Sequence, residues 1–275
     1  MARVMHHFGL LAALVVWPLA SFAEEAPVLD RLMEVLRIAD TIEIMREEGR
    51  GYGEDVATEM LPGADLDSWQ STVMRIHDPD RMQRVIRQGF DAALTEPEMQ
   101  AVIDFYGSDL GAEIVALEIS ARRAFLEPEI EEQARARYSE DHPDDSRLRG
   151  QVEQMIAESD LVERNVSGAM NSTMMFYRGM MDGGELEMTQ SDMLADLWSQ
   201  EEAFRSDSEN WLGAFLMMAY DPLSAEDLER FLAFWREDAG RVFNSAMFKS
   251  FDRMYEELSY LMGQAVAQHM QSEKL

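Results

Sequence analysis

Apolar residues recur three and four positions apart along most of the chain. Leu29, Leu32, Val35, Leu36, Ala39 and Ile42 line one helical face early on. Val85, Phe90, Met99, Val102, Ile103 and Phe105 continue the pattern within their segments, and Leu228, Phe231, Leu232 and Trp235 repeat it late in the chain. Runs of alternating β-branched residues are missing and prolines stand at element edges, so the pattern predicts an all-α fold. The apolar run Trp211 to Tyr220 is too short for a membrane span and predicts a helix buried on every side.

Two helix starts are well marked. Thr95 is placed to cap a helix, with Glu98 three positions on to complete a capping box and Pro97 inside the first turn, where a missing N–H costs little. Ser224 and Asp227 stand in the same relation. The starts are related at an offset of 129 residues (223 − 94), which pairs Leu94 with Leu223, Phe105 with Phe234, Tyr106 with Trp235, Asp109 with Asp238 and Gly111 with Gly240. Upstream, an offset of 120 pairs Asp40, Gly63, Gln70 and Ser71 with Asp160, Gly183, Gln190 and Ser191. Glycines, caps and glutamines in one register point to a tandem duplication, each copy a bundle of about five helices. The first copy is expected over 24–138 and the second over 149–275, with an acidic, proline-bearing linker over 139–148.

Residues 1–23 carry a different signal. Arg3 precedes a short apolar stretch, Phe8 to Trp17, which Pro18 ends before the small residues at Ser21 and Ala23. This is the pattern of a secretory signal peptide cleaved after Ala23, and it predicts export, to a periplasm or beyond. With no cysteine in the chain, neither lipoprotein processing nor a disulfide framework is available.

Charge narrows the partners. The 24 Lys and Arg stand against 53 Asp and Glu, a net charge of −29. Such a field repels nucleic acid and anionic lipid and favours a cationic ligand or an envelope protein as partner.

One motif stands out. Phe105-Tyr106-Gly107-Ser108-Asp109-Leu110-Gly111 reads as a helix–helix junction: Gly107 as a left-handed C-cap, Ser108 or Asp109 as the next N-cap, and Gly111 one turn in, where only a close backbone approach justifies it. The stretch resembles the aromatic-aromatic, Ser/Thr, Gly-Lys signature of the bacterial family DUF2059, over about 94–138 and again, with more departures, over 223–270. Asp109 stands where the family has proline and Ala112-Glu113 where it has a basic pair; the second copy has Trp235 and Glu237 in place of the tyrosine and the hydroxyl residue, while Arg241 restores one base. The resemblance implies an all-helical fold and an exported compartment, and no chemistry. A partner groove is expected beside Phe105, Tyr106, Ser108 and Gly111 in one copy and Phe234, Trp235 and Gly240 in the other.

No catalytic, cofactor or metal site is assigned. Beyond the signal segment the histidines are His77, His142 and His269, with no i, i+4 pair and no HExxH. The expected role is a non-catalytic binding module of the bacterial envelope. Two alternatives stay open: a carboxylate-based hydrolase of envelope glycan or peptide, and Cu(I) binding by the methionine-rich stretch Met170, Met174, Met175, Met180, Met181, Met188 and Met193, which would otherwise be core filling.

Overall fold

The computed structural model describes residues 27–140 and 145–273, so the expected signal segment and residues 141–144 of the expected linker, His142 among them, lie outside the described residues. Everything assigned is helical. The order is α1 (Val28–Val35), α2 (Ile38–Met60), α3 (Leu66–Ile76), α4 (Pro79–Ala93), α5 (Glu96–Tyr106), α6 (Asp109–Ala124), α7 (Pro128–Ser139), α8 (Ser146–Glu158), α9 (Leu161–Asp182), α10 (Gln190–Tyr220), α11 (Ala225–Arg236) and α12 (Asp238–Glu273). Among the described residues, no helix is long and apolar enough to cross a membrane.

The chain's own side chains set these starts. Thr95 and Glu98 close a capping box on α5, as Thr189 and Asp192 do on α10, while Ser224 accepts from the Asp227 N–H at the head of α11. The first half holds seven helices rather than five, and prolines explain the difference. Pro79 and Pro128 begin α4 and α7, where a continuous helix would lose a hydrogen bond and clash with the carbonyl four residues back. The second half has no proline within 190–220 or 238–273, and α10 and α12 run on for 31 and 36 residues. The apolar run ending at Tyr220 is therefore the last third of a long helix, with Leu212, Ala214, Leu216, Met217, Ala219 and Tyr220 buried.

The two longest contacts define the interior. Helix α12 lies along α9 with main chains touching: a Cβ at Gly179 would overlap the Tyr260 carbonyl, and one at Gly263 the Phe176 carbonyl. Helix α12 also reaches α3, α4 and α5, and α10 reaches α6 and α7. Each half thus lends its closing helices to the middle helices of the other. One hydrophobic cluster takes residues from both, from Leu32 and Trp69 through Phe90 and Tyr106 to Phe231, Phe243 and Val266.

Candidate functional site

The junction between α5 and α6 is built as a tight cap-to-cap turn. Ser108 has extended backbone and its Oγ accepts from the Gly111 N–H at 3.1 Å, so it, rather than Asp109, caps α6. Gly107 is not left-handed: its φ is −81°, within the right-handed helical region. The glycine serves space instead, because a Cβ there would press on the Ile103 carbonyl oxygen. Gly111 meets the expected close approach, since a Cβ would overlap the Phe105 carbonyl oxygen and the Tyr106 Cα. Gly240 sits in the same surroundings beside Phe234 and Trp235.

The aromatics of the two junctions meet inside the protein. Phe105 and Phe234 stack at 4.0 Å between centroids, 9° from parallel. Tyr106 packs edge-on against Phe105 at 5.2 Å, Phe234 at 5.7 Å and Phe243 at 5.6 Å, and Phe231 stacks on Phe105 at 5.8 Å. Tyr106 and Phe234 are buried, Phe105 and Trp235 half-buried. These rings hold the halves to each other, at the edge-to-face and stacked geometries that add to plain burial. On the outer side of the first junction, Ile103, Asp104 and Gly107 line a shallow groove of about 520 Å³ with Arg31, Glu34 and Val35 of α1.

Two polar links cross the same seam. Glu118 of α6 accepts from the Tyr220 hydroxyl of α10 at 2.6 Å. Burial pushes its carboxyl up from 4.5 to about 7, against the pull of that hydrogen bond. Burial and then the Glu118 charge hold the Tyr106 and Tyr220 hydroxyls well above the usual tyrosine range. One turn on, Arg122 donates two 2.8 Å bonds to Glu48 of α2 and one of 3.1 Å to the Tyr255 hydroxyl of α12.

The methionine stretch divides. Met180 and Met193 are buried, while Met170, Met174, Met175, Met181 and Met188 are half-buried, and Met175 Sδ lies 3.9 Å from Arg178 Nη1. His77 is buried on Gly49, its Nδ1 3.0 Å from the Val73 carbonyl, and burial lowers its pKa. His269 packs edge-on to Trp69 at 5.0 Å.

The capped junction and the helices around it lie in a segment with relatives. Residues 80–140 match the DUF2059 family model. That family is described as an uncharacterised protein conserved in bacteria. The DUF2059 match runs from α4 to the end of α7, so it begins earlier than the motif alone suggests and includes Phe90, which packs 6.2 Å from Phe243 of the second half. No curated protein and no solved structure matches the chain.

Two features escaped the linear pattern. Glu118 is flanked by buried Val115 and Ile119, an acid inside an apolar face, which is the one sequence sign of its position. The other is the outer side of α10. Leu194 and Trp198, one turn apart, are 37% and 63% exposed, while Met193 and Leu197 beside them are buried. The amino-terminal part of α10 is therefore apolar on two sides, and periodicity alone cannot say which side faces the core.

Proposed function

We propose that the chain is an exported, non-catalytic binding module of the bacterial envelope, made of two tandem copies of a DUF2059-like helical unit joined near 139–148. The segment 1–23 has the composition of a cleaved export signal, and the acidic charge suits an exported protein that recruits a cationic partner.

Matched local geometry supports the duplication. Gly111 and Gly240 make the same backbone contact six residues back. Among the described residues, Arg37 and Asp160 are the two non-glycine positions with positive φ, 49° and 56°, and each precedes the second helix of its half. Their spacing of 123 (160 − 37), like the 121 (184 − 63) between the positive-φ glycines Gly63 and Gly184, lies close to the upstream offset of 120.

The observation that carries the binding role is the exposed pair Leu194 and Trp198. A tryptophan 63% exposed, with a leucine beside it, is an apolar patch that a rigid helix holds out to solvent. The junction aromatics, by contrast, are engaged in packing. Glu118 has the raised carboxyl that an envelope hydrolase would need, yet it faces Tyr220 and lines neither the groove beside α1 nor the one formed by Asp145, Arg147, Leu148, Gln151, Asp221, Leu223, Ala225 and Leu228. We therefore read it as a packing acid.

A photo-crosslinking amino acid placed at position 198 in intact cells tests the reading, with position 150, an exposed site on α8, as control. The expected result is one captured envelope protein from 198 and none from 150. Capture of nothing, or an unprocessed chain retained in the cytoplasm, overturns it.

A further inference from the structure

The outer face of α10 has a composition that selects its occupant. Between Glu185 and Glu209 the chain carries eight acids, Glu185, Glu187, Asp192, Asp196, Glu201, Glu202, Asp207 and Glu209; Arg135 of α7 pairs with Asp207 at 3.0 Å, and the single base within the stretch is Arg205, a local charge of −6 (2 − 8). That base is already engaged, with Arg205 paired to Glu163 of α9 and bonded at 3.0 Å to Glu201. Within this charge stands an apolar ridge. Leu194 and Ala195 are exposed side by side and Trp198 one turn on, with Ser191, Ser199 and Ala203 as small exposed neighbours.

The support under the ridge is firm. Met193 and Leu197 are buried beneath it, and Asp196 is fixed by the Tyr177 hydroxyl at 2.6 Å and by Gln200 at 2.7 Å. The patch is thus presented by a packed helix with little ordering left to do on binding. A second copy of this chain is a poor occupant, because it would bring another −29 to the same face. Anionic lipid is repelled for the same reason. What satisfies both the ridge and its rim is a segment with apolar residues along one side and Lys or Arg along its edges.

We infer that the Leu194–Trp198 face of α10 docks a cationic amphipathic helix of a partner protein, with Trp198 as the anchor and the exposed acids Glu187, Asp192, Glu202 and Glu209 as the rim that steers it. The inference rests on the reading of this face as a binding surface and adds the chemistry of what it takes.

The test uses the chain as purified from cells and two synthetic peptides of about five helical turns, one of Leu and Lys and one of Leu and Glu in the same amphipathic order. Titration calorimetry is expected to show binding of the Leu/Lys peptide that weakens with added salt, and no binding of the Leu/Glu peptide. Trp198→Ala and Leu194→Ala are each expected to weaken it by about tenfold, as loss of a buried anchor does. Tyr52→Ala removes an aromatic 50% exposed elsewhere and is expected to change affinity by less than about twofold. Because Trp198 is exposed, its variant keeps wild-type helicity by circular dichroism.

Equal affinity of wild type and Trp198→Ala for the Leu/Lys peptide overturns the inference, since bulk charge alone would then explain binding. So does absence of binding. Concentration-dependent dimerisation in sedimentation that Trp198→Ala abolishes makes a second copy the occupant, and Trp198-dependent binding to anionic lipid vesicles makes it a membrane; either outcome refutes the proposal. A crosslink from position 198 to an acidic or neutral segment would sink this inference while leaving the binding-module reading in place.

Discussion

Replacing Glu118 by Gln isolates the acid at the seam between the halves. In the folded protein its carboxyl is held near 7 rather than 4.5, because burial disfavours the ionised form more than the Tyr220 bond favours it. Below 4.5 the folded and unfolded chains both hold the proton, and the acid is neutral in its effect. Between 4.5 and about 7 the unfolded chain has released the proton and the folded one has not, so stability falls as pH rises; above 7 the loss is complete. At about 1.4 kcal/mol per pH unit this reaches roughly 3 kcal/mol.

Glutamine keeps an oxygen to accept from Tyr220 and carries no charge. Glu118→Gln is therefore expected to match wild type near pH 4.5 and to exceed it by up to roughly 3 kcal/mol at pH 8, a gain on the order of 6–12 °C in Tm. Urea unfolding followed by circular dichroism at both pH values measures the difference directly. The wild-type comparison at each pH removes most of the general repulsion in a chain of −29. A variant that is less stable than wild type at pH 8, or more stable by the same amount at both pH values, would refute the assignment of Glu118 as an acid whose desolvation the Tyr220 bond only partly offsets.

Other substitutions probe the remaining contacts. Asp252→Asn is expected to act in the same direction with a smaller effect, because burial, then Glu256, raise that carboxyl from 3.8 to about 6 on a half-buried site partly offset by Arg164; the gap to wild type should open between those values in the same unfolding series. Gly111→Ala forces a methyl against the Phe105 carbonyl and is expected to destabilise by about 1–3 kcal/mol, whereas Gly150→Ala, in open space on α8, is expected to stabilise by about 0.5–1 kcal/mol; chemical denaturation separates the two signs. Phe105→Ala removes the stack on Phe234 and is expected to cost roughly 2–4 kcal/mol, read as a lower urea midpoint.

Much of the local structure was legible because it rests on local forces. Thr95 with Glu98, and Ser224 with Asp227, satisfy the first N–H groups of their helices from within four residues, so their caps can be read directly. Gly111 could be flagged because glycine inside a helix is unfavourable without a steric reason, and the Phe105 carbonyl supplies that reason. Gly107 was misread for the opposite cause. Left-handed and right-handed glycine caps look alike in sequence, and the tight turn into Ser108 selects the right-handed one.

Periodicity alone determined that the chain is helical, where several helices begin, and which faces are apolar, since those depend on side-chain spacing and caps a few residues apart. Which apolar face meets which was decided only in three dimensions. Phe105 stacks on Phe234 from 129 residues away (234 − 105), and Glu118 finds Tyr220 across the same seam. On α10, the pairs Met193–Leu197 and Leu194–Trp198 are equally apolar in sequence. The packing of α10 against α9 leaves one pair inside and the other in water. Hydrophobic burial has no direction of its own, and only the arrangement of long helices gives it one.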